Sequence, residues 1–204
     1  MVPMNTLESL HDPDPARFAS AYIGYLCTVL QRIDPQRIAG FIATLLDARE
    51  RGATIFFMGN GGSAATASHF ANDLAIGTRA HHKPFRALAI TDNLSVLTAI
   101  ANDYGYEGVF ERQLRVLGRS GDVVVGISAS GNSPNLLRAF EAAREMGIKS
   151  VALTAFDGGA MRAMADEGIH VPTDPKEYGP AEDAHMVLDH LVGAYLMQLV
   201  KRGG

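Results

Sequence analysis

Histidine and carboxylate side chains occur at two places in the sequence where they could carry out acid–base chemistry or bind a metal ion. His69 and Asp73 are four residues apart, so on a helix they share one face. His190 lies in an apolar segment, where an ionisable group is costly to bury without a partner. Such groups can act as general acid and base or as zinc ligands. Taken alone, the first two are also compatible with a surface pair, and His190 with a hydrogen-bonded core histidine.

Two loops rich in glycine or serine could bind a phosphate group. Residues 59–63 are Gly-Asn-Gly-Gly-Ser, and residues 128–134 are Ser-Ala-Ser-Gly-Asn-Ser-Pro. Glycine lets the backbone approach a ligand closely, and a helix that begins after such a loop offers free N–H groups. Ser133 can cap a helix that begins at Pro134. The three hydroxyls of the second loop would bind a phosphate ester through neutral donors, although either loop alone could be an ordinary turn.

The first loop also fits the dinucleotide fingerprint G-x-G-x-x-A, which is a weak signal by itself. The acidic residue expected about 20 positions later is missing, because Asp92 comes too late. No lysine follows the glycines, so the loop is not a Walker motif. The two loops together therefore favour a small phosphorylated ligand.

Short apolar runs alternate with helical patterns after residue 52. The predicted strands are Thr54–Met58, Ala87–Thr91, Asp122–Ile127, Ser150–Ala155 and Ile169–Pro172. The predicted helices between them are Ser63–Ile76, Ser95–Leu117 and Pro134–Met146. This alternation predicts an α/β fold with a parallel sheet buried on both faces. Because ligands bind beyond the carboxyl ends of such strands, both loops lie where a site is expected.

Helices are also predicted at both ends of the chain. Asp14-Pro15 and Asp34-Pro35 each place a capping acid before a proline that opens a helix, and Gly52 is a plausible stop. We expect residues 1–52 to form a helical extension that packs on an oligomer. The last helix, Glu182–Val200, is apolar almost all round, with Val187, Leu191, Tyr195 and Leu199 on one face and Leu188, Val192 and Leu196 on another. That pattern predicts a subunit interface.

Length and composition limit the class of protein. The 204 residues favour one domain, and 18 basic against 22 acidic residues argue against a nucleic-acid binder that relies on positive charge. No apolar stretch is long enough to span a membrane, and the first residues lack a secretory pattern, so we expect a cytoplasmic protein. The single cysteine, Cys27, excludes an internal disulfide and a multi-cysteine metal site.

At these motifs the chain resembles the sugar isomerase (SIS) domain family, specifically its phosphoheptose isomerase group. The resemblance covers nearly the whole chain and includes the terminal helix with His185 and His190. The motifs that carry it are Gly59-Asn-Gly-Gly-Ser, His69-Phe-Ala-Asn-Asp-Leu, Thr98-Ala-Ile-Ala-Asn-Asp-Tyr-Gly, Gly126-Ile-Ser-Ala-Ser-Gly-Asn-Ser and Asp157-Gly-Gly. It implies a single SIS domain with a five-stranded parallel sheet in an αβα sandwich, and a homotetramer with active sites shared between subunits. The implied reaction converts sedoheptulose 7-phosphate to D-glycero-D-manno-heptose 7-phosphate, with one zinc ion per site.

The resemblance also implies a role for each matched residue. It implies catalysis by Asp73, His190 and Glu182, and metal binding by His69, Asp73, Glu182 and His190. The implied substrate-binding residues are Asn60, Gly61, Gly62, Ser63, Asn102, Asp103, Ser128, Ala129, Ser130, Ser133 and Glu182. Asp73 stands where the family usually has glutamate, and Glu182 where it usually has glutamine. The first change shortens the base by one methylene, and the second adds a negative charge.

The spacing of Glu182 and His190 is too long for one site on a straight helix, since eight residues span about 12 Å. Either Glu182 precedes the helix or the two residues come from different subunits, and we favour a shared site. One alternative function is a non-enzymatic SIS regulator that binds the replication initiator, which the chain resembles at Thr91-Asp92-Asn93. Those relatives tend to lack the helix carboxylate and the terminal histidine that this chain has as Asp73 and His190. Another alternative is an isomerase of a different phosphosugar.

Overall fold

A computed structural model describes residues 5–203 as one five-stranded sheet surrounded by helices. The strands are β1 Thr54–Gly59, β2 Arg86–Ala89, β3 Val123–Ser128, β4 Lys149–Thr154 and β5 Glu167–His170. The helices are α1 Thr6–Ser9, α2 Pro15–Gln31, α3 Pro35–Arg51, α4 Gly62–Asn72, α5 Leu94–Tyr104, α6 Val109–Leu117, α7 Pro134–Met146, α8 Gly159–Met164 and α9 Tyr178–Lys201. In this part of the chain, no helix combines the length and apolar character that crossing a membrane requires.

All neighbouring strands are parallel, in the order β2-β1-β3-β4-β5. From β1 the chain continues to β2 on one side of the sheet, and from β3 it continues to β4 and β5 on the other side. The strand order therefore reverses between β1 and β3. A crevice opens at such a reversal, beyond the carboxyl ends of the two strands. The glycine loop follows β1 and the serine loop follows β3, so the fold places both at this crevice. The predicted α/β sandwich is therefore confirmed.

The three central strands of the sheet are buried on both faces, because successive apolar side chains along them enter two different cores. In β1, Ile55 and Phe57 pack in one core and Phe56 and Met58 in the other. The first core includes residues of α3, α4 and α9, and the second includes residues of α6, α7 and α8. Because both cores are densely apolar, the loops at the crevice project from a rigid base.

Two predicted helices differ from what was expected. The segment Ser95–Leu117 is not one helix, because Gly105 adopts φ +88 and separates α5 from a short 3₁₀ turn, Tyr106–Gly108, and α6. The helix predicted over Ser63–Ile76 begins at Gly62, one residue earlier than predicted. After Asn72 the chain continues as a π-helix, Asp73–Gly77. Single π-turns within helices frequently occur at functional sites, and this one begins at a predicted catalytic residue.

The terminal helices mostly follow their predicted caps. Asp14 and Asp34 accept hydrogen bonds from Ala16 N and Gln36 N, and Gly52 ends α3 in the left-handed conformation. The last helix begins at Tyr178, four residues before the predicted start, so Glu182 lies inside it. The alternative in which Glu182 precedes the helix, and so could serve the same site as His190, is therefore wrong. In α9, Leu188, Val192 and Leu196 are buried, whereas Val187, Leu191 and Tyr195 are exposed on the outer face.

His185 is fully buried in α9, and neither ring nitrogen has a hydrogen-bond partner among residues 5–203. Burial lowers the pKa of His185 to about 4, because the charged ring would lose its hydration. The unfolded chain therefore binds a proton that the folded chain does not between about pH 6.5 and pH 4, and stability falls as the pH drops through that window.

We expect His185→Leu to remove part of this acid sensitivity. Between pH 7 and pH 5, the variant's free energy of unfolding should fall by about 2 kcal/mol less than that of the unsubstituted protein. Urea unfolding at the two pH values measures this difference. Equal losses in the two proteins would contradict the prediction.

Candidate active site

The glycine loop brings the start of α4 into the crevice. Asn60 and Gly61 follow β1, and α4 begins at Gly62 without a side-chain cap. A β-carbon at Gly62 would collide with the carboxylate of Glu182. The absence of a side chain at Gly62 thus lets α9 place a carboxylate against the first turn of α4, where the helix dipole favours negative charge.

The serine loop turns back over the end of β3. Gly131 has φ +63, and a β-carbon there would collide with the carbonyl oxygen of Gly158, so only glycine fits this turn. The Ser128 hydroxyl accepts from Gly131 N at 3.1 Å, and the Ser130 hydroxyl accepts from Asn132 N at 3.3 Å. Helix α7 begins at Pro134 as predicted, but the Ser133 side chain does not cap it. The Ser133 hydroxyl therefore stays available at the crevice.

Both loops line one cavity of about 150 Å³. Its walls carry the neutral polar side chains of Asn60, Ser63, Ser128, Ser130 and Ser133 and the carboxylate of Glu182. Ala129 and Tyr178 also line it. The space holds a small polar group, and its hydroxyl and amide groups are the donors that a phosphate ester accepts from. The structure thus brings together most of the predicted substrate residues and places Glu182 with them.

Asn60 is fixed by contacts that the sequence did not indicate. Its side-chain amide exchanges two hydrogen bonds with that of Asn135, at 3.0 and 2.9 Å, and its oxygen also accepts from the Tyr106 hydroxyl at 2.9 Å. Asn135 is buried in the first turn of α7, and Tyr106 lies in the 3₁₀ turn. These contacts tie the glycine loop to the elements that flank it, so Asn60 has one defined orientation.

The histidine and carboxylate groups form a second cluster, which lies on α4, its π-turn and α9. One ligand atom each from His69, Asp73, Asp189 and His190 lie within 4.8 Å of one another. The His69 and His190 rings pack edge to face with centroids 5.1 Å apart, and His69 Nδ1 lies 3.8 Å from Asp73 Oδ2. The structure therefore brings together three of the four predicted metal-binding residues within one chain.

Glu182 is not part of this cluster, because it lies two turns earlier in α9, at the serine cavity. Asn102 and Asp103, at the end of α5, are exposed, and Asn102 donates to Asp103 at 2.8 Å. Neither of these two residues lines the cavity or joins the cluster in the described chain. Their predicted contacts with the sugar stay predictions.

Asp189 belongs to the cluster although sequence reasoning gave it no role. Its side chain is fully buried, and its Oδ2 lies 2.7 Å from His69 Nδ1. Burial raises the pKa of Asp189 to about 6, and the charge of Asp73 acts in the same direction, whereas the contact with His69 opposes it. The sequence did contain a signal for Asp189, because this acid follows His185 by four residues and so lies on the same inward face of α9 as Leu188 and Val192.

Comparison with known proteins finds close relatives over most of the chain. A family model described as the SIS domain matches residues 21–155. A phosphoheptose isomerase of Akkermansia muciniphila is 46% identical over 146 residues, which cover 72% of this chain and 76% of that protein. The structure of a phosphoheptose isomerase from Neisseria gonorrhoeae has a TM-score of 0.80 and 33% identity, and the match covers 90% of this chain and 98% of that one. A phosphoheptose isomerase from Francisella tularensis has a TM-score of 0.82 and 26% identity, covering 91% and 99%.

Proposed function

The chain belongs to the SIS domain family, within its phosphoheptose isomerase group, and we propose that it interconverts sedoheptulose 7-phosphate and D-glycero-D-manno-heptose 7-phosphate. The observation that carries this proposal is the pairing of a hydroxyl-lined cavity with a histidine–carboxylate cluster further along the same two helices. His69 is seven residues after Gly62, which on a helix corresponds to about 10 Å. An extended seven-carbon sugar phosphate has the length to reach from one to the other.

The serine loop binds the phosphate in this proposal. Ser128, Ser130 and Ser133 donate hydroxyl hydrogens, and the first turn of α7 adds the positive end of its dipole. Because no lysine or arginine among residues 5–203 lines this cavity, the phosphate is held by neutral donors.

The reaction moves a proton between adjacent carbons through an enediol, so it needs a base at carbon and an acid–base group at the oxygens. We assign the base to Asp73, whose carboxylate is partly exposed at the π-turn beside His69. His190 is exposed on the adjacent helix and carries the proton between the two oxygens. A histidine suits this second task because an imidazole ring can both donate and accept a proton.

The cluster fits a metal ion by its chemistry. Two imidazoles and the carboxylate of Asp73 are ligands that zinc accepts, and three protein ligands are the usual number at a catalytic zinc site, where the fourth position stays open for substrate. In this proposal His69, Asp73 and His190 hold one zinc ion per site. When bound, the ion polarises the carbonyl group and stabilises negative charge on its oxygen.

Loss of a phosphate donor tests the role of the serine loop. We expect Ser130→Ala or Ser133→Ala to weaken substrate binding by about 0.5–3 kcal/mol, since each removes one hydrogen bond to a charged group. Steady-state kinetics measures the change as a raised Michaelis constant. Ser9→Ala, at an exposed position at the end of α1, is the matched control. If both loop variants keep the original Michaelis constant and turnover, the assignment of the loop fails.

A homotetramer with shared sites is part of the proposal, because Glu182 lies two helical turns before His190 and contributes no ligand atom to the cluster of its own chain. We therefore infer that Glu182 serves the cluster of a second copy, where it would act as a further ligand or base. The exposed apolar residues on the outer face of α9, Val187, Leu191 and Tyr195, supply a surface for such assembly.

Light scattering at micromolar concentration should give about four times the mass of one chain. We expect Leu191→Glu to shift the protein toward smaller species, because it places a charge in the apolar interface. Arg144→Glu, at an exposed position of α7, introduces the same residue away from α9 and from residues 1–52, and should leave the mass unchanged. A monomeric unsubstituted protein would contradict the shared site.

A panel of ketose phosphates with five, six and seven carbons, assayed with and without added zinc, tests the proposed substrate. We expect the highest kcat/KM for sedoheptulose 7-phosphate and a loss of turnover when zinc is removed. Preference for a shorter sugar would replace the proposed substrate with another phosphosugar. The relatives are phosphoheptose isomerases, which favours an enzyme over the non-enzymatic regulator. If none of the sugars on the panel were converted, the non-enzymatic regulator would become the better candidate.

A further inference from the structure

Asp189 is a buried acid on the inward face of α9, among residues that are otherwise mostly apolar. Leu188, which directly precedes it, and Val192 and Leu196, three and seven residues after it, are all buried in the first core. The side chain of Asp189 is fully buried, whereas 43% of the His69 side chain and 26% of the Asp73 side chain are exposed. A carboxylate in such a position costs stability unless it is paired, so its presence calls for a specific partner.

That partner is the ring of His69. Asp189 Oδ2 lies 2.7 Å from His69 Nδ1, the distance of a charge-assisted hydrogen bond. Asp73 Oδ2 is 3.8 Å from the same nitrogen, beyond hydrogen-bond reach. An ionised carboxylate only accepts hydrogen bonds, so Nδ1 carries the proton and donates to Asp189. The lone pair of the ring is then on Nε2.

We propose that Asp189 is a positioning residue, whose buried carboxylate fixes the ring and tautomer of His69 so that Nε2 is the atom that binds the metal ion. This inference rests on the proposed function only in taking the cluster to be a metal site. Carboxylate partners of this kind orient metal-binding histidines and raise their basicity, and their loss typically lowers metal affinity about 10–100-fold. The cluster is thereby prepared before the ion arrives, because the fully buried Asp189 has little freedom to move.

Asp189→Asn tests the proposal with little change of shape. The asparagine amide can donate to Nδ1 and hold the ring with its proton on Nε2, where a metal ion would otherwise bind. We expect the zinc dissociation constant, measured by competition with a chromophoric chelator and without any sugar, to rise about 10–100-fold. Asp183→Asn is the matched control, because it makes the same change on an exposed residue of the same helix and should leave zinc affinity unchanged.

A second measurement does not depend on whether the variant folds. Nitrogen-15 NMR of the metal-free, unsubstituted protein should show His69 as the Nδ1–H tautomer, and in a folded Asp189→Asn variant the proton should move toward Nε2. The proposal is overturned if the unsubstituted protein shows the Nε2–H tautomer, if it binds no zinc, or if Asp189→Asn raises the dissociation constant less than fivefold. Should zinc binding behave as expected while sedoheptulose 7-phosphate is not converted, only the proposed substrate fails.

Discussion

Asp73→Asn should reduce turnover by about 10²–10⁴-fold, the range that general acid–base catalysis contributes, and by more if the metal ion is also lost. The substitution keeps the size of the side chain but removes the group that accepts the proton from carbon. Steady-state turnover of sedoheptulose 7-phosphate measures the effect, and circular dichroism and light scattering check that fold and assembly persist. Asp47→Asn, an exposed carboxylate paired with Arg51 on α3, is the matched control and should keep full activity.

Asp73→Glu separates the role of the base from its length. The longer side chain restores the residue that the family usually has at this position. If it raises turnover of the heptose phosphate, the shorter acid is a handicap on that sugar, and another phosphosugar becomes the better candidate. Near-full activity in Asp73→Asn would contradict the assignment and transfer the role of base to Glu182.

His190→Gln should be comparably damaging, with turnover reduced by about 10²–10⁴-fold. Glutamine can hydrogen-bond to the sugar oxygens, but it cannot carry a proton between them near neutral pH. The ring also packs against that of His69, so its loss removes a neighbour of the cluster as well. His81→Gln, on an exposed loop, makes the same change away from the site and should have no effect. Full activity in His190→Gln would show that another group serves the oxygens.

The sheet and the two ligand loops were predictable because their signals are local. Continuous apolar runs mark buried parallel strands, and glycine or serine clusters after them mark the loops at their carboxyl ends. Helix α7 has the predicted bounds, and the structure shows why: Pro134 opens it and Gly147, in the left-handed conformation, ends it. The break at Gly105 was missed because glycine inside a helical pattern is tolerated in other helices, and only its φ of +88 shows that the chain turns.

The cluster was only partly predictable because it depends on how two helices pack. His69 and Asp73 share a face by their spacing, but nothing local indicates that α9 brings His190 and Asp189 against them. The π-turn at Asp73 also escaped sequence reasoning, since its residues fit an ordinary helix equally well. For Glu182, the spacing along the helix predicted a long separation from His190, and the observed start of α9 places both residues in the same helix.

In the proposed reaction, the crevice isomerises a heptose phosphate by moving a proton between adjacent carbons. The most direct test is proton NMR of sedoheptulose 7-phosphate incubated in heavy water with the purified protein and zinc. We predict that D-glycero-D-manno-heptose 7-phosphate appears with deuterium at carbon 2, and that Asp73→Asn forms neither the product nor the exchanged sugar at a comparable rate. An unchanged sugar without deuterium after prolonged incubation with the zinc-loaded protein would contradict the account.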